Sequence, residues 1–345
     1  MTRFFTQIAA NDALKKKLVS DIRENRLSHA YIIEGARGSG KHTLAMQIAA
    51  ALSCQNRNDD ASSLPCLVCP SCRKILGFNS PDVITIGRED KATLGVDAIR
   101  KLKTDVFVAP NDTDVKVYLI EDAHLMTVQA QNAFLLTLEE PPSYVLFFLL
   151  CESTEPLLET IRSRAPTLHM ERVPNNAMET YLCEHHAEAS ALKSSHPVEF
   201  AEILAMADGR IGIAIELLDP VTRKPLIERR DTAKEFVRLC SERKNAASAL
   251  RFLNSLGQKR DALTVQFSSI LLCLRDLLLC KQTDEPPLCF FADYEEAHAM
   301  AYRFTTPELL ELCHAINEAI DRLRVNANVR LTLTAMAVRA GLLSL

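Results

Sequence analysis

Two groups of residues in this sequence have the types and spacing of chemical sites: a glycine-rich loop and four clustered cysteines. The loop, Gly35-Ala36-Arg37-Gly38-Ser39-Gly40-Lys41-His42, lies between the apolar run 30–33 and a helical pattern that starts at Thr43. Glycines at its first and sixth positions let backbone amides face phosphate oxygens, Lys41 adds a positive charge, and the helix N-terminus favours an anion. The loop therefore predicts a nucleotide-phosphate site. The alternative is a glycine turn without a ligand.

His42 occupies the eighth position of the loop, where a loop that hydrolyses nucleotide carries a Ser or Thr hydroxyl bound to Mg²⁺. An imidazole is a poor ligand for this hard, oxygen-seeking ion. Thr43 is no simple substitute, because one helical step turns a side chain by about 100°. We expect the loop to hold ATP, ADP or another anion, while hydrolysis is absent or very slow.

Two acidic residues, Glu121 and Asp122, follow the apolar run 115–120. Acidic residues at the C-terminal end of such a strand lie beside the phosphate loop, where they can hold a metal or activate water. We therefore include both carboxylates in the expected nucleotide site.

The four clustered cysteines are Cys54, Cys66, Cys69 and Cys72, and the last three form two CxxC steps that share Cys69. Four thiolates can surround one tetrahedral Zn²⁺ with no open position, so the predicted role of the metal is structural. The odd total of 11 cysteines argues against a disulfide framework. The alternatives are free buried thiols and a redox pair, and the pair lacks a thioredoxin-like context.

Composition restricts the class of protein. The chain has 345 residues, of which 48% are hydrophobic and 24% charged, enough for two or three globular domains with cores. Its net charge of -4 argues against a protein that coats nucleic acid by itself. This charge is still compatible with a local basic face that contacts nucleic acid within an assembly. The N-terminus lacks a signal-peptide core, and apolar runs such as 145–151 are too short to span a bilayer. We expect a soluble, cytoplasmic protein with no membrane partner.

Strand and helix patterns alternate up to about residue 171 and predict a parallel α/β sheet with helices on both faces. The expected strands are 30–33, 82–86, 115–120, 144–150 and 167–170, and the expected helices include 6–26, 43–50, 96–107 and 129–139. After Pro174 only helical patterns remain. They comprise a small unit at 175–219, helices at 233–240, 246–256, 263–280 and 307–324, a linker at 281–287, and a last helix opened by 326–331.

Several segments together resemble a known family, the AAA+ subunits of the bacterial clamp loader of DNA polymerase III. They are the four-cysteine insert and the segments 26–31, 80–83, 117–124, 136–142 and 160–164. The resemblance covers nearly the whole chain. It implies a RecA-like AAA+ domain at 1–171 with a zinc module at 54–72, a helical lid at 172–221 and a C-terminal helical collar at 222–345 that drives oligomerisation.

Within this family, the sequence resembles the delta-prime type, which does not hydrolyse ATP, more than the ATP-hydrolysing gamma/tau type. His42 replaces the metal-binding threonine, and Glu121-Asp122 inverts the usual Asp-Glu order. Gly212 stands where the motor subunits carry a phosphate-sensing arginine. Arg164 is kept, although the usual Ser-Arg-Cys here ends in alanine, and the resemblance implies that it acts on ATP bound by a neighbouring subunit. The alternative for Arg164 is a salt bridge inside its own domain.

The resemblance also implies partners. They are gamma/tau and delta subunits in a hetero-pentamer, the sliding clamp, and primed DNA within the assembly. The expected function is to assist ATP-driven loading of the clamp in replication. Two rivals stay open: an active ATPase, either gamma/tau-like or an unrelated AAA+ enzyme, and a degenerate AAA+ scaffold outside replication.

Overall fold

The computed structural model describes residues 4–57, 63–88, 92–242, 246–284, 286, 288, 290–325 and 327–343. The chain divides into two compact units. The first extends to Tyr181 and includes Gly209–Ile213, and the second comprises Leu182–Asp208 and the chain from Ala214 onward. This division by packing does not test the three domain ranges expected from the sequence, which stay predictions.

The first unit is built on a parallel sheet of five strands in the order β2-β3-β4-β1-β5. The strands are β1 (Ala30–Glu34), β2 (Val83–Ile86), β3 (Lys116–Ile120), β4 (Val145–Cys151) and β5 (Thr167–His169). The helices are α1 (Asp12–Arg23), α2 (Lys41–Leu52), α3 (Pro70–Leu76), α4 (Val96–Asp105), α5 (Val128–Glu139) and α6 (Glu159–Arg162), with a 3-10 turn at Ala123–Leu125. The parallel α/β fold predicted from the sequence is confirmed.

The sheet is covered on both faces, and its central strand β4 is apolar at every position. All seven residues of β4 are buried. Alternate side chains, such as Phe148 and Phe147, enter two separate cores. One core includes residues of α1, α2 and α3, and the other includes residues of α4, α5 and α6. This continuous apolar run is typical of a strand buried on both sides.

The expected helix over 6–26 is too long at both ends, since α1 spans Asp12–Arg23. Helix α1 begins at Asp12, because Ala10 and Asn11 have φ angles of 49° and 55° in the left-handed region, which a helix cannot contain. Phe5 is buried in the core instead. The helix expected at 96–107 ends earlier, at Asp105, and the other expected elements of this unit agree with the structure within two residues.

The second unit is helical throughout its described part. The remaining helices of the chain are α7 (Asn175–His185), α8 (Ala187–Ser195), α9 (Pro197–Ala207), α10 (Ile211–Leu218), α11 (Pro220–Glu242), α12 (Ala246–Ser255), α13 (Arg260–Cys280), α14 (Tyr294–Ala301), α15 (Thr306–Arg324) and α16 (Val329–Arg339). The unit boundaries fall within α7 and α10. Helix α11 begins 13 residues before the expected 233, since Asp219 bonds the Val221 amide and Pro220 suits a first helical turn.

Helix α13 is the centre of this unit and packs against α11, α14 and α15. Within the described residues it is the one helix long and apolar enough to cross a membrane, which the sequence expectation overlooked. Half of its most apolar stretch is buried inside the protein, as in the core helix of a helical domain. Of the expected linker, 285 and 287 lie outside the described residues, as does Asn326 before the last helix; Asn328 caps that helix by accepting from the Leu331 amide.

Candidate nucleotide-phosphate and metal sites

The glycine loop joins β1 to α2, as the sequence predicted. Gly38 and Gly40 have φ angles of 79° and 95°, in the left-handed region that glycine adopts without strain. The Lys41 ammonium donates to the carbonyl oxygens of Gly35 at 2.7 Å and Ala36 at 3.1 Å. Burial lowers the pKa of Lys41, and nearby acidic groups oppose that shift. The lysine therefore lies along its own loop, within reach of a phosphate placed there.

A cavity of about 600 Å³ opens beside this loop. Its lining includes most of the residues that the sequence assigned to the site, namely Gly38, Gly40, Lys41, His42, Thr43, Glu121 and Asp122, together with Arg37, Arg88, His124, Glu152 and Gly212. Gly35 and Ser39 belong to the loop but do not line the cavity. Ser39 is buried against Gly35, and its hydroxyl oxygen finds no hydrogen-bond partner in the described part of the chain. The loop and the acidic pair thus converge as expected.

His42, at the eighth position of the loop, lines this cavity. Its ring stacks on Phe78 with centroids 5.6 Å apart, and its Nε2 atom lies 3.8 Å from the Glu121 carboxylate. Phe78, just after α3, is 71% exposed. An imidazole held between an aromatic ring and a carboxylate offers no hydroxyl to a metal ion.

Arg88 was not among the predicted site residues. Its Nε atom donates to the Asp122 carboxylate at 2.9 Å, and its Nη1 atom donates to the Ala92 carbonyl at 3.3 Å. The pairing of β2 with β3 brings Ile86 opposite Ile120. Arg88 and Asp122 are each two residues beyond these ends, so the register of the parallel strands could have predicted their contact.

Gly212, which stands where motor subunits carry an arginine, touches the phosphate loop. Its backbone amide donates to the Gly38 carbonyl oxygen at 2.8 Å. A Cβ atom added to Gly212 would lie 3.0 Å from the Gly38 Cα atom and 3.1 Å from its carbonyl oxygen. A larger side chain could enter here only if the loop moved.

The four cysteines Cys54, Cys66, Cys69 and Cys72 converge as predicted, with all Sγ atoms within 4.8 Å of one another. A tetrahedral zinc with bonds of about 2.3 Å needs sulfurs about 3.8 Å apart, and the Cys66 and Cys72 sulfurs are 4.0 Å apart. Backbone amides of Cys69 and Cys72 point at the sulfurs of Cys66 and Cys69 at 3.4 and 3.5 Å. This donor set fits a structural Zn²⁺ with all four positions supplied by protein.

The cysteine thiols have divergent acidities. Burial raises the pKa of Cys66, but amide donors from Cys69 and Val68 and the neighbouring thiols outweigh it and lower the pKa to about 6. Burial raises the pKa values of Cys54 and Cys72. Close thiols cannot all ionise without a cation to compensate their charge, which is what a bound metal would supply.

Arg164 follows α6 and pairs with a residue of its own unit. Its Nη2 atom lies 2.8 Å from the Glu139 carboxylate, and its Nη1 atom donates to the Thr160 carbonyl at 2.9 Å. Among the described residues, those that line the cavity beside the loop do not include Arg164. The arginine is therefore held by an ion pair away from that cavity, and its side chain is 38% exposed.

Comparison with known proteins gives the family. A family model described as "DNA polymerase III, delta subunit" matches residues 10–174. The chain is 32% identical over 218 residues to DNA polymerase III subunit gamma/tau of Mycoplasma pneumoniae, covering 63% of this chain and 31% of that protein. It is 28% identical over 294 residues to DNA polymerase III subunit tau of Bacillus subtilis, covering 80% and 50%. The chain thus spans about a third to a half of the length of these curated relatives.

A solved structure of a gamma subunit-related protein from Thermotoga maritima aligns with 94% of this chain and 98% of its own, at 17% identity and a TM-score of 0.46. That likeness is too low to bear on function. The family match covers the sheet, the glycine loop, the four cysteines and the acidic pair described above. Through this region, the chain is similar to DNA polymerase III subunits, which supports the resemblance to the AAA+ clamp-loader family.

Proposed function

We propose that this chain is a delta-prime-type clamp-loader subunit, which assists the ATP-driven loading of the sliding clamp onto primed DNA without hydrolysing ATP itself. The observation that carries the proposal is the arrangement of the residues that would bind Mg²⁺ beside the phosphate loop. His42 replaces the hydroxyl, and its Nε2 atom lies 3.8 Å from the carboxylate of Glu121. The neighbouring carboxylate of Asp122 accepts a hydrogen bond from Arg88. Hydrolysis needs a metal ion to bridge the phosphate oxygens and neutralise developing charge, so this arrangement disfavours turnover.

Gly212 supports the same proposal. A phosphate-sensing arginine at this position would need space that the Gly38 backbone fills, since even a Cβ atom would lie 3.0 Å from the Gly38 Cα atom. The backbone at Gly212 therefore stabilises the phosphate loop, and no side chain at this position contacts a γ-phosphate. The loop itself keeps Lys41 and its glycines, and we propose that it holds ATP, ADP or another anion silently.

We propose that Zn²⁺ is bound by Cys54, Cys66, Cys69 and Cys72 and has a structural role. When bound, the metal would fix Cys54, just after α2, to the cysteines at the start of α3 by compensating the thiolate charge. The buried sulfurs and the amides that face them support this assignment.

Arg164 is proposed to act on ATP bound by an adjacent subunit. A guanidinium stabilises charge spread over phosphoryl oxygens, an effect worth about 10³ to 10⁵ in rate in well-studied cases. The ion pair with Glu139 does not prevent this role. Exposed pairs contribute about 0–1 kcal/mol, so Arg164 can exchange Glu139 for a phosphate at small cost.

The C-terminal helices are proposed to form a collar that joins gamma/tau and delta subunits in a hetero-pentamer. Several large apolar side chains of the second unit are exposed, among them Leu272, Leu310 and Leu331. A groove of about 370 Å³ between α15 and α16 is lined by residues such as Ala319, Leu331 and Met336. Such surfaces are typical of contacts with other proteins. The assembly would act on the clamp and primed DNA in the cytoplasm.

The proposal is tested by reconstitution with motor and delta subunits, followed by clamp-loading assays with and without this chain. Omission of the chain is expected to abolish loading. Loading that continues undiminished without the chain would refute the function.

The second candidate is an active gamma/tau-like ATPase, which the names of the matched relatives favour. Mg²⁺-dependent ATP turnover by the isolated chain separates the two. The delta-prime proposal expects turnover well below about 1 per second, the lower end of the range for phosphoryl-transfer enzymes such as kinases. His42→Thr alone should not restore it, because Arg88 still binds Asp122 and Gly212 still contacts the loop. Turnover at about 1 per second or faster by the unmodified chain would favour the second candidate.

A further inference from the structure

The cavity beside the phosphate loop does not fit the Mg²⁺ that the fold family implies. A metal there would need oxygen ligands from the eighth loop position and from the acidic residue after β3. The first position holds the His42 ring, fixed by its stacking on Phe78. Glu121, the first acidic residue after β3, lies 3.8 Å from the His42 Nε2 atom. Asp122, which follows it, already accepts a charge-assisted hydrogen bond from Arg88 at 2.9 Å. Mg²⁺ would therefore compete with His42 and Arg88 for these carboxylates.

Arg88 also changes the charge that an incoming phosphate meets. In a site with free carboxylates, a metal-free nucleotide would be repelled by them, and the metal ion removes this repulsion. Here the Arg88 guanidinium is bonded to Asp122 and lines the same cavity as Arg37 and Lys41. The positive charges of Arg37, Lys41 and Arg88 therefore offset three carboxylates that line the same cavity, those of Glu121, Asp122 and Glu152.

We infer that this site binds the phosphates of a nucleoside di- or triphosphate without Mg²⁺, and that Arg88 supplies the charge that the metal would otherwise supply. The inference rests on the proposed retention of nucleotide by the loop. It goes further by naming the ligand form and a residue that the sequence did not single out. A guanidinium can bond a carboxylate and a phosphate at once, because its five N–H donors form a planar fork.

The test is a titration of the full-length chain with ADP and ATP that carry a fluorescent N-methylanthraniloyl label, with and without Mg²⁺. The buffer is freed of Mg²⁺ by a chelating resin before the protein is added, so that the thiolate-bound metal is untouched. Dissociation constants are expected to agree within about threefold, which is less than 1 kcal/mol. Binding at least about tenfold weaker without Mg²⁺ would overturn the inference. Absence of binding in both buffers would also overturn it.

Arg88→Ala is the informative variant, and Arg100→Ala is its matched control. Arg100 bonds Asp97 on the exposed side of α4 at 3.0 Å and does not line the cavity. In Mg²⁺-free buffer, Arg88→Ala is expected to weaken nucleotide binding at least about tenfold, and Arg100→Ala by less than about twofold. Equal affinity of both variants would contradict the role of Arg88.

The comparison of the two buffers uses the unmodified chain, so it decides the question even if a variant folds poorly. Clamp loading by the reconstituted complex is measured separately. If nucleotide binding depends on Mg²⁺ but clamp loading needs the chain, only the inference is refuted. If nucleotide binding is independent of Mg²⁺ but omission of the chain leaves clamp loading unchanged, the proposed function is refuted.

Discussion

The Gly212 amide donates a 2.8 Å hydrogen bond to the carbonyl oxygen of Gly38, so the segment 209–213 rests on the phosphate loop by backbone contact. We predict that Gly212→Ala lowers stability by about 2 kcal/mol, because the added Cβ atom would lie 3.0 Å from the Gly38 Cα atom. Thermal unfolding measures the loss. The control is Gly95→Ala, where nothing lies within 4 Å and the cost is expected to be below about 1 kcal/mol. Equal losses in the two variants would contradict the contact.

Removal of the metal that we propose at the four cysteines should alter the phosphate-loop site as well as the cysteine cluster. Helix α3 begins after Cys69 and ends at Leu76, two residues before Phe78, which stacks on His42. We predict one Zn²⁺ per chain, lost in Cys66→Ser together with a lower melting temperature and a changed His42 ring resonance. Metal analysis and NMR are the measurements.

The matched control is Cys313→Ser, because Cys313 is partly buried and lies outside the cluster. This variant should keep its zinc and the His42 signal. A Cys66→Ser protein with no loss of metal or stability would refute the structural site.

Asp82 is fully buried and should make stability depend on pH. Burial raises the pKa of this carboxyl, but bonds from the amides of Asn111, Asp112 and Thr113 and the Thr113 hydroxyl outweigh it and lower the pKa. Its folded pKa therefore lies below its unfolded value of about 3.9. The stabilisation is fully present above that unfolded value and is lost as the pH falls through the folded pKa.

We predict that Asp82→Asn costs about 3 kcal/mol at neutral pH, since two or more charge-assisted bonds are weakened. Denaturant unfolding against pH should show the gap from the unmodified protein narrowing below about pH 4. Asp112→Asn is the control, because its carboxylate forms an exposed pair with Lys74 worth less than about 1 kcal/mol. A gap that is constant with pH would argue against an ionised Asp82.

Arg164 should matter to the assembled complex and not to the isolated chain. In the reconstituted loader, Arg164→Ala and Arg164→Lys are predicted to leave assembly intact, as judged by gel filtration. DNA- and clamp-stimulated turnover at the neighbouring site should fall by about 10³. Arg162→Ala is the nearby control and should leave turnover unchanged. Normal turnover and loading in both Arg164 variants would show that the pair with Glu139 is the whole role of this residue.

The sheet and its loop could be predicted from the sequence because their signals are local. Strand β4 is apolar at seven successive positions, and the glycine loop follows a buried strand directly. The cysteine cluster could also be predicted from the sequence, since the spacing of its cysteines indicates a tetrahedral metal site. In each case neighbouring residues carry all the information that the prediction needs.

The contacts around the expected Mg²⁺ ligands beside the loop join residues that are far apart in the sequence. Arg88 and Asp122 are 34 residues apart and meet only through the register of β2 and β3. Phe78 reaches His42 through the position of α3, for which no periodic pattern exists. The late start of α1 also depends on a distant contact, because the Phe5 amide bonds the Leu64 carbonyl. Such features follow from tertiary packing that propensity and spacing do not encode.

Clamp-loading rates in reconstituted complexes that contain unmodified chain, Lys41→Ala chain, or no chain test the delta-prime proposal most directly. In the proposed delta-prime role, the chain contributes its surfaces and Arg164 to the complex, and not its own ATP turnover. We therefore predict that assembled Lys41→Ala complexes load clamps at a rate within about threefold of the unmodified complex. Complexes that lack the chain should not load. A Lys41→Ala complex that assembles normally but loads as poorly as the complex without the chain would contradict the account.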